Sequence, residues 1–209
     1  MANGESLHFL STPELRAEPF KKAASAVGKL TKNQSTLILT HGQFSLSDAI
    51  QAILDQLDAP AEIVVATWTA AKVEIDSAAE MIAHKKIKSM RWIVDNSFLA
   101  RQPAYHQLLV ERFGYDSIRT IKTHIKFCLI RSDEWRIAIR TSMNLNTNPR
   151  LELIELSDSE SIYNFFGDFA DRLFAEQPPA ENWGLPPARI TKPIKSTLDK
   201  RTLERRVIG

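Results

Sequence analysis

Cysteine is nearly absent: Cys128 is the single thiol in 209 residues, and it sits in an apolar run. One thiol excludes an intrachain disulfide and a cysteine-rich metal site, and it suits a reducing compartment. Long hydrophobic runs are missing too. No stretch approaches roughly eighteen consecutive apolar residues, so no bilayer span is expected. Residues 1–10 lack the basic-then-apolar pattern of a secretory signal. The expectation is a soluble, cytoplasmic protein. An excess of one charge is also lacking, the net charge being +2. That total neither requires nor excludes nucleic acid, so the distribution of charge carries the information. No internal repeat is visible.

What is present suits a globular domain: 44% hydrophobic and 25% charged residues, enough to build a core. Ser11-Thr12-Pro13-Glu14 reads as a helix start, with mixed helix to about Lys29. Residues 36–40 read as a strand. A helix capped by Ser47 follows, with Ala49, Ile50, Ile53, Leu54 and Leu57 at helical spacing. Residues 63–67 and 90–94 read as buried strands. They are separated by a helix marked by Ile75, Ala78, Ala79 and Ile82, and followed by one marked by Tyr105, Leu108, Leu109 and Phe113. Strands alternating with helices predict an α/β fold with a partly parallel sheet.

The rhythm then changes. Residues 118–130 and 135–141 are both β-like, joined by a turn at Arg131-Ser132-Asp133-Glu134. Residues 151–156 read as a further strand. Ser157 and Glu160 suggest a capping box for a closing helix, whose stripe is Ile162, Phe165, Phe166, Phe169 and Leu173. Trp68, Trp92 and Trp135 are assigned to strands and the core, and Cys128 to an inert core position. After Glu176, prolines at 178, 179, 186, 187 and 193 break any long element. From Arg189 onward, Arg189, Lys192, Lys195, Lys200, Arg201, Arg205 and Arg206 face only Asp199 and Glu204, so residues 189–209 have a net charge of +5. The tail reads as an extended contact for nucleic acid or a protein partner. The expected organisation is a helical extension over 1–34, a domain over 35–175 and a Pro-rich basic tail over 176–209.

One constellation carries chemistry. His124 and Lys126 are two apart, so on a strand they share a face. An ammonium neutralises phosphate charge, and an imidazole can act as nucleophile or proton carrier near neutral pH. Ser142 and Asn144 repeat the spacing on the next segment. Asn144 can donate to a phosphate oxygen, and Glu152 can hold the second imidazole nitrogen. The plain alternatives are a strand-end histidine, an edge-strand lysine and turn-forming Ser142 and Asn144.

His124-x-Lys126 followed by Thr141-Ser142-x-Asn144 resembles the phospholipase D superfamily, whose pattern is H-x-K, a strand, a turn and G-S-x-N. The resemblance covers roughly residues 35–175 and implies an α/β/α sandwich with a mixed sheet. There are two departures. Arg131 stands where the family usually has Asp, as in the tyrosyl-DNA phosphodiesterase branch, which also lacks that Asp; and Thr141 replaces Gly. The resemblance implies a hydrolase: a phosphodiesterase with His124, Lys126, Asn144, Ser142 and Glu152 as catalytic residues, a phosphohistidine intermediate, and no metal or other cofactor. Such enzymes use two H-x-K motifs per site. This chain has one H-x-K that is followed by S-x-N, so a homodimer is expected. A nuclease acting on DNA or RNA is the favoured reading. The alternatives are a catalytically impaired nucleic-acid-binding or assembly module, and a phospholipid phosphodiesterase.

Overall fold

The computed structural model describes residues 14–16, 22–147, 149–177 and 179. Its elements are β1 (Glu14–Arg16), α1 (Ala23–Val27), β2 (Ser35–Thr40), α2 (Leu46–Leu54), β3 (Ala61–Thr67), α3 (Lys72–Ala83), β4 (Ile87–Asp95), α4 (Phe98–Arg101), α5 (Pro103–Phe113), β5 (Ile118–Ile121), β6 (Phe127–Arg131), β7 (Arg136–Thr141), β8 (Glu152–Asp158) and α6 (Glu160–Glu176). The eight strands form one mixed sheet in the order β1-β2-β8-β7-β6-β3-β4-β5. β3, β4 and β5 are parallel, whereas β6, β7 and β8 are linked antiparallel to one another and to β3 and β2.

β3 lies in the middle of the sheet. Its sequence AEIVVAT is apolar almost throughout because both of its faces are covered. Ile63 and Val65 join the larger core with Ile75 of α3, Ile53 of α2, Trp92 of β4 and Leu109 of α5. Val64 and Ala66 point the other way, into a smaller core with Phe127, Leu129, Ala138 and the α6 residues Ile162, Ala170 and Leu173. Helices α1–α5 thus cover one face and α6 the other, the three-layer sandwich anticipated from sequence. The rings of Phe127 and Phe166 meet at 5.0 Å, and deleting a buried ring such as Phe127 costs about 3–5 kcal/mol. Arg119 of β5 donates to the carbonyls of Phe174 and Gln177 at 3.3 and 2.9 Å, satisfying the end of α6. Among the described residues no helix is long and apolar enough to cross a membrane.

Several boundaries differ from the sequence reading. The helix expected from Pro13 is replaced by strand β1, which pairs with β2; helix α1 begins only at Ala23. The cap of α2 is Ser45, not Ser47, because Ser45 and Asp48 bond reciprocally. The cap of α6 is Ser159. Ser157 belongs to β8, where its hydroxyl bonds that of Ser35 at 2.7 Å.

The largest difference concerns residues 118–130, which form two strands rather than one. β5 pairs parallel to β4 at the sheet edge, and β6 lies antiparallel on the far side of β3. These slots are three strand spacings apart, about 14 Å. Residues 122–126 must therefore run across the top of the sheet, a distance that five extended residues, at about 17 Å, just cover.

Candidate active site

The strand directions bring the carboxyl ends of β2, β3, β4, β5 and β7 to one end of the sheet, together with the starts of β6 and β8. Open α/β sheets place their sites at this end. The crossing segment is tied down along its length. The Asn96 amide donates to the Ile121 carbonyl at 2.9 Å and the Thr141 amide to the Lys126 carbonyl at 3.3 Å. The Thr123 amide donates to Asp95 at 2.9 Å.

His124 and Lys126 lie on this segment, just ahead of β6 rather than within it. The strand alternation expected to set them on one face is therefore absent, and the lysine instead folds back onto the histidine. The Lys126 ammonium donates to the His124 carbonyl at 3.0 Å and lies 3.3 and 3.4 Å from Nδ1 and Nε2 of the ring. The imidazole is exposed, whereas Lys126 is only 7% exposed. Burial lowers the Lys126 pKa, and the Glu152 carboxylate works against that shift. The result is a cation under a solvent-facing imidazole, an arrangement that favours an incoming anion.

Glu152 opens β8 opposite Thr40 and is buried. The expected bond from Glu152 to the imidazole is absent from its described hydrogen bonds. The carboxylate instead accepts from the Ser142 hydroxyl, and its charge supports Lys126. Ser142 is fixed further, accepting from the Leu153 amide at 3.0 Å and donating its own amide to the Leu153 carbonyl at 3.1 Å. Lys126, Glu152 and Ser142 therefore form one connected group. Asn144 follows two residues on, and its buried Oδ1 has no hydrogen-bond partner among the described residues; no described hydrogen bond joins Asn144 to His124 or Lys126.

The two departures from the sequence pattern find structural explanations. Arg131 lies at the opposite end of β6, about 16 Å along the strand from Lys126, and pairs with Glu62 of β3. A charge at that position props two strands together and lies outside the group formed by Lys126, Glu152 and Ser142. Thr141 donates to the Leu153 carbonyl at 2.7 Å and accepts from the Met143 amide at 2.9 Å, so its hydroxyl shapes the turn that presents Ser142.

Sequence reasoning missed the groups beside His124. Trp68 is not a strand residue; it follows β3 and faces the imidazole with ring centroids 6.0 Å apart. Arg101 lies over the indole at 3.7 Å. Asp95 was readable only as an Asx turn, Asp-Asn-Ser, at a strand end. Cys128 is fully buried with a raised pKa. The tail residues Arg189, Lys192, Lys195, Lys200, Arg201, Arg205 and Arg206, like Trp183, lie outside the described residues.

No family model and no curated protein matches the sequence. Solved structures do resemble the fold. Nuc from Salmonella typhimurium, a phospholipase D family member, aligns with a TM-score of 0.50 and 9% identity, over 70% of this chain and 98% of that one. Polyphosphate kinase from Porphyromonas gingivalis aligns with a TM-score of 0.51 and 20% identity over 70% of this chain, which spans only 27% of the kinase. NucT from Helicobacter pylori aligns with a TM-score of 0.48 and 12% identity, over 68% of this chain and 97% of that one. The mixed sheet, its two helical layers and the likeness to Nuc together show that this chain has the phospholipase D fold.

Proposed function

We propose that this chain is a phosphodiesterase that cleaves DNA or RNA without a metal ion, through a phosphohistidine formed on His124. The observation that carries the proposal is the buried Lys126 ammonium held against an exposed imidazole at the ligand-binding end of the sheet. In the first step an imidazole nitrogen attacks phosphorus and the P–O bond to the leaving group breaks. A second histidine gives that oxygen its proton. In the second step the same histidine takes a proton from water, whose oxygen attacks phosphorus and breaks the P–N bond. Lys126 meets the charge that builds on the phosphoryl oxygens, and the Asn144 amide is the candidate second donor.

The other H-x-K, His84-Lys85-Lys86, ends α3 ahead of β4 at the opposite end of the sheet, so the second histidine is assigned to His124 of a twin subunit across a twofold axis. Exposed apolar residues beside the site support such a contact. Leu39 and Leu153 face each other across β2 and β8 at 44% and 42% exposure, and Leu151 and Ile125 stand at 62% and 42%. Nucleic acid is favoured over lipid by the +5 net charge of residues 189–209.

The test is hydrolysis of bis(p-nitrophenyl) phosphate, single-stranded DNA and RNA in EDTA by the wild type and by His124→Ala. The expected result is metal-free cleavage that the variant loses while keeping its fold and its dimer. Retardation of nucleic acid without cleavage would favour the binding-module alternative. A fully active monomer would refute the shared site.

A further inference from the structure

We infer that Asp95 is a positioning residue for His124, acting through a clamp on the crossing segment and an Arg101–Trp68 brace beside the ring. The inference rests on the phosphodiesterase reading for its kinetic consequence, but its geometry stands independently. Asp95 ends β4 and is 6% exposed. Its two oxygens do different things. Oδ2 accepts from the Thr123 amide at 2.9 Å, one residue before His124. Oδ1 accepts from the Ser97 amide at 2.9 Å and from the Ser97 hydroxyl. Burial raises the Asp95 pKa, but the Ser97 and Thr123 hydrogen bonds and the Arg101 charge outweigh it and hold the group below its ordinary value. The acceptor is thus an ionised carboxylate, the stronger kind.

The second half of the device starts from the same Ser97. Its hydroxyl accepts from Arg101 Nε at 2.9 Å, and Arg101 also donates to the Trp68 carbonyl at 2.7 Å. The guanidinium carbon sits over the indole, 3.7 Å from its centroid. The indole in turn flanks the His124 ring at 6.0 Å. On the far side of His124 the Ile125 amide is held by the Thr123 hydroxyl at 3.1 Å. The backbone is therefore fixed on both sides of an exposed histidine, and its ring has a wall. A histidine on a strandless bridge would otherwise sample several rotamers, and a misplacement of about 1 Å can cost about a hundredfold in rate.

Asp95→Asn is the test, because the amide keeps the shape but presents an N–H where one of two acceptors is required. Three quantities are read in the full chain: exchange of the Thr123 amide, the chemical shift of the His124 Cε1–H beside the Trp68 ring, and kcat and KM on bis(p-nitrophenyl) phosphate. The expected result is Thr123 exchange faster by at least tenfold, a moved His124 resonance, and kcat down by about a hundredfold with KM within about twofold. Should the variant fail to fold, Arg101→Met takes its place; it should move the His124 resonance and lower kcat while Thr123 exchange stays as in the wild type. A folded variant in which the His124 resonance is unmoved overturns the inference, as does a moved resonance with unchanged kcat. If wild-type protein cleaves no phosphodiester but the resonance and the exchange respond as expected, the clamp stands and the phosphodiesterase reading falls.

Discussion

Lys126→Met separates charge from packing at the candidate site. The methionine stem fills the space of the lysine stem and removes only the ammonium. A phosphodiester carries one negative charge, and its five-coordinate transition state gains a second. The part of the Lys126 interaction that matters for kcat is the one with that second charge. The ammonium lies 3.3–3.4 Å from the imidazole nitrogens, so on the phosphodiesterase reading a phosphoryl oxygen under attack is taken to be about 4 Å from it. Two unit charges about 4 Å apart at an effective dielectric near 20 interact by about 4 kcal/mol, or about three orders of magnitude in rate. The assay is steady-state hydrolysis of bis(p-nitrophenyl) phosphate in EDTA, with a thermal melt to confirm folding. The expected result is kcat lower by about a thousandfold in Lys126→Met and partly restored in Lys126→Arg. Because burial lowers the Lys126 pKa, the alkaline limb of the wild-type profile should fall below the ordinary lysine range and disappear in Lys126→Arg. A folded Lys126→Met within tenfold of wild type would refute the electrostatic role, and so would equal losses in the Met and Arg variants.

Two further outcomes are expected from the same structure. Arg131→Ala should cost less than about 1 kcal/mol, since its side chain and that of Glu62 are 48% and 31% exposed. It should leave kcat unchanged, and a large kinetic loss would return Arg131 to the site. Burial lowers the His106 pKa from 6.5 to about 4, so the unfolded chain binds a proton in that window which the folded chain refuses. Stability should therefore fall as the pH drops below 6.5. The loss should reach about 1–2 kcal/mol at pH 5, allowing for solvent screening. Urea melts at pH 7 and pH 5 read it, and His106→Asn should flatten the difference.

Much of this arrangement was legible in the sequence because it is local. The apolar runs of β3 and β4 and the stripe of α6 each report on their own neighbourhood. The cap of α2 was misread because Ser45 and Ser47 are both good caps, and only the reciprocal bond with Asp48 chooses between them. The break at 122–126 was hidden because both halves, Ile118–Ile121 and Phe127–Arg131, are good strand sequences. What separates them is the position of β3 and β4 in the sheet, a non-local fact. Trp68, Asp95 and Arg101 were missed for the same reason. Each is an ordinary loop or helix-end residue in sequence, and the topology alone sets them beside His124.

The latch of Arg119 onto the last carbonyls of α6 has a reach beyond that helix. β5 is four residues long, borders only β4, and leads into His124 within three residues. Fraying of this outermost strand would carry the histidine away while the rest of the sheet stayed intact. The closing turn of α6, on the opposite layer, is thus a remote anchor for the imidazole. On the phosphodiesterase reading, how tightly that helix end is moored would set the fraction of molecules ready to react, separately from how hard the whole protein is to unfold.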